Sequence, residues 1–497
     1  MTKLRICCIT PYVDKYLPDN SMREKDGKMK NEYATHWIIV GIIIMIISQI
    51  FSPVFLRMKN KICISALIAL FFCIGPFSLK AQRSEIGAMV GTTFYLGELN
   101  QTKLFSNPYL AGGFMYRDEE GKLNGVFAER ATSLLQGPGL DNKMRPTSAQ
   151  ITQGIENMQQ YLLSAGITNI IEGWTNNYSV DDESLFQALT TMDWDKALHL
   201  NVSLTYEIEP WYNDNYPFPY IENAASVQRR YQSKHVHPDY LKLFMDGLVE
   251  MGTGFLLEGY SKSPVDSIYS GHGTPLWSEE DMNVLVKAAN EKGLTVHTHA
   301  LGDGAVHRSV VAYANSNHKE MRNTIVHLRN VSPEDYEIIK ENDIAVSANM
   351  NWHCFTEELA KHYETIIPYR YAHDAYPMKS FFKHGILVSQ CTDTPADDGI
   401  NYPFLCMQVA VTGAYEAGMD AWQPEELLNR YQFLQAMTYN GAWQLHLEKE
   451  RGSIEPGKYA DFVILDEDVL TCDAQHLGEV KVLNTFFEGQ EVYTLKK

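Results

Sequence analysis

Short β-rich runs that alternate with amphipathic helices predict an α/β fold with a parallel sheet over most of the chain. The chain has 497 residues, enough for a barrel-sized domain with smaller elements beside it. A closed (β/α)8 barrel needs eight strands, and the sequence offers one fewer. We therefore expect a TIM-type barrel that lacks one strand. The candidate strands are residues 167–171, 199–205, 241–245, 294–299, 324–327, 344–347 and 386–389.

Helix signals separate several of these strands, and the clearest one precedes the fourth strand. Ser278 is followed by three acidic residues, and a serine N-cap with an acidic first turn is typical of a helix start. Apolar residues then recur at helical spacing as far as Gly293, which is typical of a helix end. This segment predicts a helix that packs on the sheet.

The C-terminal residues predict a small β appendage. A helical stretch over residues 425–446 is followed by turn-forming residues at 452–461 and an apolar run at 462–466. A second apolar run covers residues 480–488. We expect both runs to be strands outside the barrel.

The N-terminal region contains two long apolar runs. Residues 37–56 carry no charge, and about twenty apolar residues suffice for a helix to cross a bilayer core. Residues 62–79 follow a short basic stretch and, read from Met58, resemble a secretory signal peptide. Either the protein starts at Met58, or the two runs are hydrophobic helices in a hairpin. We expect a membrane-associated or exported protein, and a cytoplasmic one if this front end is spurious.

Residues 82–116 are rich in glycine and aromatic residues. Between Ile86 and Leu96, apolar side chains alternate with smaller or more polar ones, which predicts a strand with one apolar face. Together with the signal-like run, residues 58–116 resemble the start of a small exported outer-membrane-type β-protein.

Charge and cysteine content argue against nucleic-acid binding and against a fold held by disulfides or structural zinc. The formal net charge of −19 at pH 7 argues against binding to nucleic acid. The 8 cysteines show no Cys-x-x-Cys spacing, so we expect neither a disulfide framework nor a structural zinc knuckle.

In parallel barrels, functional side chains project from the C-terminal ends of the strands. Four ionisable residues are predicted at or near such ends: Lys242, His299, His327 and Asp393. Two imidazoles and a carboxylate on one face can bind a divalent metal, lower the pKa of bound water and transfer its proton. We therefore predict a metal site, although a single strand-end histidine is more typical of packing or hydrogen bonding.

Several residues at these strand ends have two interpretations. Lys242 is expected to point inward, where it either forms a salt bridge with Asp246 or a neighbouring carboxylate, or binds metal after carbamylation, which requires an unprotonated amine. His297 shares a strand face with His299 but lies one step deeper, which favours a supporting or core position. The His-x-His motif at 235–237 precedes a proline, and we expect it in a loop ahead of its strand.

Five motifs follow one another in chain order: Lys242 to Gly247, His299 to Ala305, Ile325 to His327, Ile344 to Ser347, and Thr392 to Pro395. Together with the C-terminal segment Gly452 to Asp461, this series resembles the metal-dependent amidohydrolase superfamily. More narrowly, it is similar to the amidohydrolase family 3 branch of N-substituted formamide deformylase-like proteins. The resemblance extends from about residue 117 to the C-terminus.

This resemblance implies a (β/α)8 barrel flanked by a small β-sandwich. It also implies zinc or a similar divalent ion that activates water to attack an amide-type carbon–nitrogen bond. By position, His299, His327 and Asp393 would be metal ligands, Asp393 also the general base, and Lys242 the carbamylated bridging ligand. The residues expected to support these ligands or to contact a small amide-type substrate are His297, Asp303, Asp246 and Trp352.

The sequence departs from the family pattern at its start. Family members carry a His-x-His pair on the first barrel strand, whereas His36 is the only histidine before His199 in this chain. We therefore expect the first strand and two ligands to be missing, and hydrolysis of non-peptide amide or formamide bonds to be impaired. The alternative is a catalytically inactive, membrane-tethered remnant or binding module.

An open barrel edge also favours self-association.

The sequence predicts four segments. They are residues 1–81, hydrophobic with transmembrane or signal character; 82–116, short, β-rich and of unrelated origin; 117–448, the incomplete amidohydrolase barrel; and 449–497, a partial β-sandwich.

Overall fold

The computed structural model describes residues 113–117, 123–129, 146–175, 183–208, 217–261, 271–354, 357–394, 402–416 and 418–496. The predicted membrane and signal segments and the alternating run from Ile86 to Leu96 lie outside the described residues. Where the structure is described, no helix combines the length and the apolar character needed to cross a membrane.

The strands form three separate sheets in the described part of the chain. An antiparallel hairpin, β1 (Gly113–Arg117) and β2 (Leu123–Glu129), comes first and extends across the predicted segment boundary at residue 117. A parallel sheet of seven strands follows, which confirms the seven predicted strands and their parallel arrangement. The strands of this sheet are β3 (Asn169–Glu172), β4 (Asn201–Glu207), β5 (Val236–Phe244), β6 (Thr295–Ala300), β7 (Thr324–His327), β8 (Ala345–Ala348) and β9 (Val388–Gln390).

The strands of the large sheet are hydrogen-bonded in chain order, from β3 to β9. Within the described residues β3 and β9 are therefore its two edges. This order is typical of consecutive βα units, in which each helical connection returns the chain to the end of the sheet where the previous strand began. The C-terminal ends of all seven strands consequently lie at the same end of the sheet.

Helices connect the strands and cover the sheet. The predicted helix after Ser278 is confirmed: the Ser278 hydroxyl accepts the Asp281 N–H at 3.0 Å, and Gly293 follows the helix with φ +77°. The described helices are α1 (Ser148–Ser164), α2 (Ser184–Trp194), α3 (Phe218–Tyr231), α4 (Glu279–Glu291), α5 (Asp303–Ser316), α6 (Asp335–Glu341), α7 (Glu357–Ile366), α8 (Tyr369–His373), α9 (Met378–Lys383), α10 (Pro403–Thr412), α11 (Arg430–Gln435) and α12 (Gly441–Gln444).

One sequence interpretation was wrong at the start of β5. The strand begins at Val236, so His237 and Pro238 lie in the strand and not in a loop. The register between β4 and β5 shifts between Ser203 and Thr205, opposite this proline. A proline is tolerated in a sheet at such an irregularity because its missing N–H removes no regular ladder bond.

The C-terminal residues form a three-stranded antiparallel sheet. Its strands are β10 (Phe462–Leu465), β11 (Val482–Phe487) and β12 (Gln490–Thr494). The first two confirm the predicted strands, and the third was not predicted. It was missed because it is short and follows Gly489, whose φ of +81° makes the tight turn between β11 and β12.

A buried ion network joins this C-terminal sheet to the N-terminal end of the barrel sheet. Arg451 is 3% exposed and pairs with Asp461 and, at 2.6 Å, with Glu488. The ring of His235 bridges Asp193 at 2.6 Å and Glu488 at 3.0 Å. Burial raises the pKa of Glu488, but hydrogen bonds from Lys234, His235 and Arg451 outweigh burial and lower it to about 2.

We expect Glu488→Gln to lower the free energy of unfolding by about 2 to 3 kcal/mol at neutral pH, because an amide cannot replace the charge beside Arg451. Since the folded-state pKa of Glu488 is lowered, its stabilising contribution is complete above about 4.5 and is lost as pH falls toward about 2. Urea unfolding of the full-length parent and variant at neutral and acidic pH measures this difference. The exposed Glu467→Gln serves as the matched control. A difference that stays constant down to the lower pH would contradict the assignment.

Candidate functional site

The four predicted ligand residues lie toward the C-terminal end of the large sheet. Lys242 is on β5, His299 on β6, and His327 is the last residue of β7, while Asp393 follows β9. The lysine and both histidines are buried, whereas Asp393 is exposed. The structure therefore places three donor groups in the interior and one carboxylate at its rim.

The two histidine rings face each other. Their centroids are 4.6 Å apart with an angle of 68° between the planes. The register pairs His299 with Val326, so strict alternation along β7 would direct His327 to the opposite face. A φ of +80° at His327 and of +43° at Leu328 interrupts that alternation. Left-handed backbone at non-glycine residues is costly and concentrates at functional sites.

Two neighbours hold the His327 ring. Its Nδ1 lies 2.7 Å from the side-chain oxygen of Asn349, and the indole of Trp352 stacks on it at 5.3 Å and 11°. An amide oxygen can only accept, so Nδ1 carries the hydrogen and Nε2 the lone pair. Burial, then the charge of Lys242, lowers the pKa of His327 to about 3. Neutral imidazole is the form that binds a metal ion.

His299 is oriented by its own neighbours. Its Nε2 lies 3.5 Å from the Gly247 carbonyl oxygen and 3.7 Å from Asp246 Oδ1, so Nε2 is the nitrogen that donates. This leaves the lone pair on Nδ1. Burial, and then the neighbouring His327 and Lys242, hold the pKa of His299 well below its ordinary value. Both rings are consequently neutral.

Lys242 is 4% exposed, and its amine lies 4.6 Å from the centre of the Phe244 ring. Burial lowers the pKa of Lys242 to about 8, opposed by charges that include Asp393, Glu207 and Glu172. An amine with this pKa is partly unprotonated near neutral pH, which is the condition that carbamylation requires. Because the charges of Glu172 on β3 and of Asp393 after β9 both act on this amine, both edges of the sheet contribute to the site.

Asp246 supports loops around the site. It is 1% exposed, and its carboxylate accepts backbone N–H groups of Phe255 at 2.8 Å, Leu301 at 3.0 Å and Gly302 at 2.9 Å. These bonds join the segment after β5 to the start of α5. The hydrogen bonds of the Asp246 carboxylate are thus to backbone N–H groups, whereas the sequence suggested a salt bridge to Lys242 as one role for it.

Asp303 and His297 also have definite environments. Asp303 begins α5, and its carboxylate accepts the Leu257 N–H at 2.9 Å and the Tyr371 hydroxyl at 2.8 Å. His297 is 3% exposed and lies beside Lys242 in the register. Within the described residues, its Nδ1 has no hydrogen-bond partner. Asp303 therefore ties loops together, while His297 is a deep interior side chain with one unused polar atom.

The His-x-His motif at 235–237 does not reach this site. It lies at the N-terminal start of β5, and both ring nitrogens of His235 are bonded to Asp193 and Glu488. Lys242 and the two neutral histidines lie at the opposite, C-terminal end of the barrel sheet.

Sequence reasoning missed several polar residues at the site. Glu172 is the last residue of β3, and Glu207 is the last residue of β4. Both were missed because the predicted strands ended one and two residues too early. Burial raises the pKa of Glu172, and Glu207 accepts the Trp174 indole N–H at 2.8 Å. Burial, then the charge of Asp393, raises the pKa of the free thiol of Cys391 to about 11. Extending each predicted strand to its next polar residue would have found both glutamates.

The donor set suits a divalent metal only in part. Two neutral imidazoles at adjacent strand ends, each with a defined lone pair, fit such an ion. Over the described ranges, however, no group of three or more His, Cys, Asp or Glu side chains is arranged to hold a metal. Among the predicted residues, the candidates for a further protein ligand are Lys242 and Asp393, whose charge acts on that lysine.

Comparison with known proteins identifies the family of this chain. The family model of the amidohydrolase family matches residues 88–493. The chain belongs to the amidohydrolase family. The match begins upstream of residue 117, from which the motifs in the sequence resemble that family.

The chain has curated relatives of low identity. It is 24% identical over 390 residues to the putative amidohydrolase YtcJ of Bacillus subtilis, covering 77% of this chain and 68% of that protein. It is 21% identical over 397 residues to N-substituted formamide deformylase of Arthrobacter pascens, covering 76% and 67%. The chain thus spans about two thirds of the length of these relatives.

Solved structures resemble this amidohydrolase in fold. An uncharacterized metal-dependent hydrolase from Pyrococcus horikoshii aligns with a TM-score of 0.57 and 19% identity, over 73% of this chain and 68% of that one. A second, from Pyrococcus furiosus, aligns with a TM-score of 0.54 and 22% identity, over 71% and 67%. These likenesses show the fold of the barrel sheet and its helices.

We expect Asp246→Ala to lower the free energy of unfolding by about 3 kcal/mol, because three buried backbone N–H groups lose their acceptor. Thermal unfolding of the full-length protein measures the effect. The exposed Asp195→Ala removes a carboxylate of the same type and should change stability little. If the two variants unfold at the same temperature, Asp246 does not hold these loops.

Proposed function

We propose that this amidohydrolase cleaves a non-peptide carbon–nitrogen bond of the amide or formamide type with the help of a divalent metal. The observation that carries the proposal is the facing pair of neutral imidazoles, His299 and His327, at the C-terminal ends of adjacent strands. Lys242 lies in the same interior, and the charge of Asp393 acts on it. Zinc is favoured because imidazole nitrogen is among its preferred ligands.

The residues that would hold the metal are His299 through Nδ1, His327 through Nε2, and Lys242 as a carbamate, with Asp393 at the rim. The chemistry that a divalent metal supplies when bound is activation of water and of an amide carbonyl. Support for a formamide or amide substrate comes from the Arthrobacter pascens relative, whose name describes an N-substituted formamide deformylase.

The side chains of this chain would divide the remaining tasks. Asp393 is an exposed carboxylate whose charge acts on the buried amine of Lys242, and it can accept a proton from water and pass it to the leaving nitrogen. Buried neutral imidazoles do not compete for that proton, because the pKa of His327 is held at about 3. Trp352 stacks on one face of His327 and restrains the orientation of the ring.

One observation favours a second candidate function. In the described part of the chain, the large sheet has two unpaired edges, and no third His, Cys, Asp or Glu completes a metal-binding group with the two histidines. If the two histidines were its only metal ligands, the chain would be a catalytically inactive binding module. Metal content separates the two proposals.

We expect purified full-length protein to contain zinc, iron or manganese at close to one ion per chain, measured by elemental analysis. His299→Ala and His327→Ala should each lower metal content and hydrolysis of N-formyl and N-acyl amides at least about tenfold. His476→Ala, whose side chain is 59% exposed, is the matched control and should retain both. A folded, soluble parent without metal would contradict the hydrolase proposal and favour the inactive module.

Asp393→Asn tests the general base separately. The amide keeps an oxygen that can ligate a metal but cannot accept a proton, so hydrolysis should fall by at least about a hundredfold while the metal is largely retained. The exposed Asp420→Asn is the control. Equal turnover in parent and Asp393→Asn would remove Asp393 from the reaction.

A further inference from the structure

We propose that Asn349 is a positioning residue for His327. Its side chain fixes the His327 tautomer in which Nε2 is the acceptor nitrogen, and its backbone holds the Trp352 indole that stacks on the His327 ring. This inference rests on the proposed function, because a fixed acceptor nitrogen on His327 is useful if that histidine binds a metal ion. The tautomer itself is measurable without metal or substrate.

The side chain of Asn349 has no access to solvent. It follows β8 directly, is 0% exposed, and its oxygen lies 2.7 Å from Nδ1 of His327. Its side-chain nitrogen has no hydrogen-bond partner among the described residues. A buried amide with an unsatisfied N–H group costs free energy, and an apolar residue at this place would avoid that cost. The hydrogen bond to His327 is what this amide provides in return.

The backbone of Asn349 holds the covering ring. Its carbonyl oxygen accepts the Trp352 N–H at 3.0 Å, which closes the short 3₁₀ turn Met350–Trp352. That turn lays the Trp352 indole on the His327 imidazole at an interplanar angle of 11°. One residue thus restrains the imidazole from its edge through the side chain and from its face through the turn.

Gln390 braces the same turn from the next strand. It is the last residue of β9, and its side-chain oxygen accepts the Met350 N–H at 3.1 Å. Its side-chain nitrogen donates to the Asn351 side chain at 3.0 Å and to the Cys391 carbonyl at 2.8 Å. The segment that leads to Asp393 is therefore tied to the turn that begins at Asn349.

The backbone of His327 explains why such a restraint is needed. With φ of +80° at His327 and of +43° at Leu328, the chain departs from the strand conformation that would turn the ring away from His299. Such a conformation persists only when surrounding contacts determine it. Asn349 and Trp352 are contacts that act on the ring itself.

The test is the tautomer of His327, read from the ¹⁵N shifts of full-length protein labelled at its 16 histidines. His327→Gln assigns the signals. The parent should show His327 protonated at Nδ1, and Asn349→Leu should shift the tautomer ratio about fivefold toward Nε2–H. Asn349→Asp, which keeps an oxygen acceptor of similar size, should preserve the parent tautomer.

Asn323→Leu is the matched control. Asn323 is also buried, at 3% exposure, and precedes the first residue of β7, at the opposite end of the strand that carries His327. Its loss removes buried hydrogen bonds to Asn290 and Val296 but should leave the tautomer unchanged. A parent in which His327 is protonated at Nε2, as a reversed Asn349 amide would produce, overturns the proposal. So does an unchanged tautomer in folded Asn349→Leu.

Zinc titration separates this inference from the proposed function. If both hold, Asn349→Leu should bind Zn²⁺ about 10- to 100-fold more weakly than the parent. A parent with the Nδ1–H tautomer that binds no Zn²⁺ and hydrolyses no amide would contradict the hydrolase proposal and leave the positioning role supported. Weak binding by Asn349→Leu with the parent tautomer would indicate a general packing defect and contradict the positioning role.

Discussion

The parallel register of β5, β6 and β7 is the constraint on which the candidate site depends. It places Lys242 beside His297 and Phe244 beside His299, so that polar side chains of neighbouring strands share one interior. These side chains are buried, and burial is the largest influence on the pKa of Lys242 and of each histidine. The neutral state of the histidines is therefore mainly a consequence of burial in the sheet, to which the charge of Lys242 adds.

The third strand of this group departs from regular geometry at the candidate site. Alternation along β7 would turn His327 away from His299, and the left-handed backbone at His327 and Leu328 brings it back. The local cost is met by contacts from the next two strands, through Asn349, the turn that ends at Trp352, and Gln390. The C-terminal ends of β7, β8 and β9 are thus bonded to one another.

The two ends of the barrel sheet serve different purposes. At the C-terminal end, His299 and His327 are neutral groups with available lone pairs, and burial lowers the pKa of Lys242 to about 8. At the N-terminal end, full charges on Arg451, Glu488 and their partners join the C-terminal sheet to β5. This division matches a general property of parallel barrels, in which one face carries function and the other stability.

The sequence by itself determined the seven parallel strands, the helix after Ser278, two strands of the C-terminal sheet and the positions of Lys242, His299 and His327 toward the C-terminal ends of their strands. These follow from local signals: period, capping and strand length. The tertiary structure decided the rest. Strand alternation alone would have separated His327 from His299, and only the left-handed backbone brings them together. Asn349 carries no motif, and Asp246 binds backbone groups of two distant segments, so their partners depend on contacts between segments far apart in sequence.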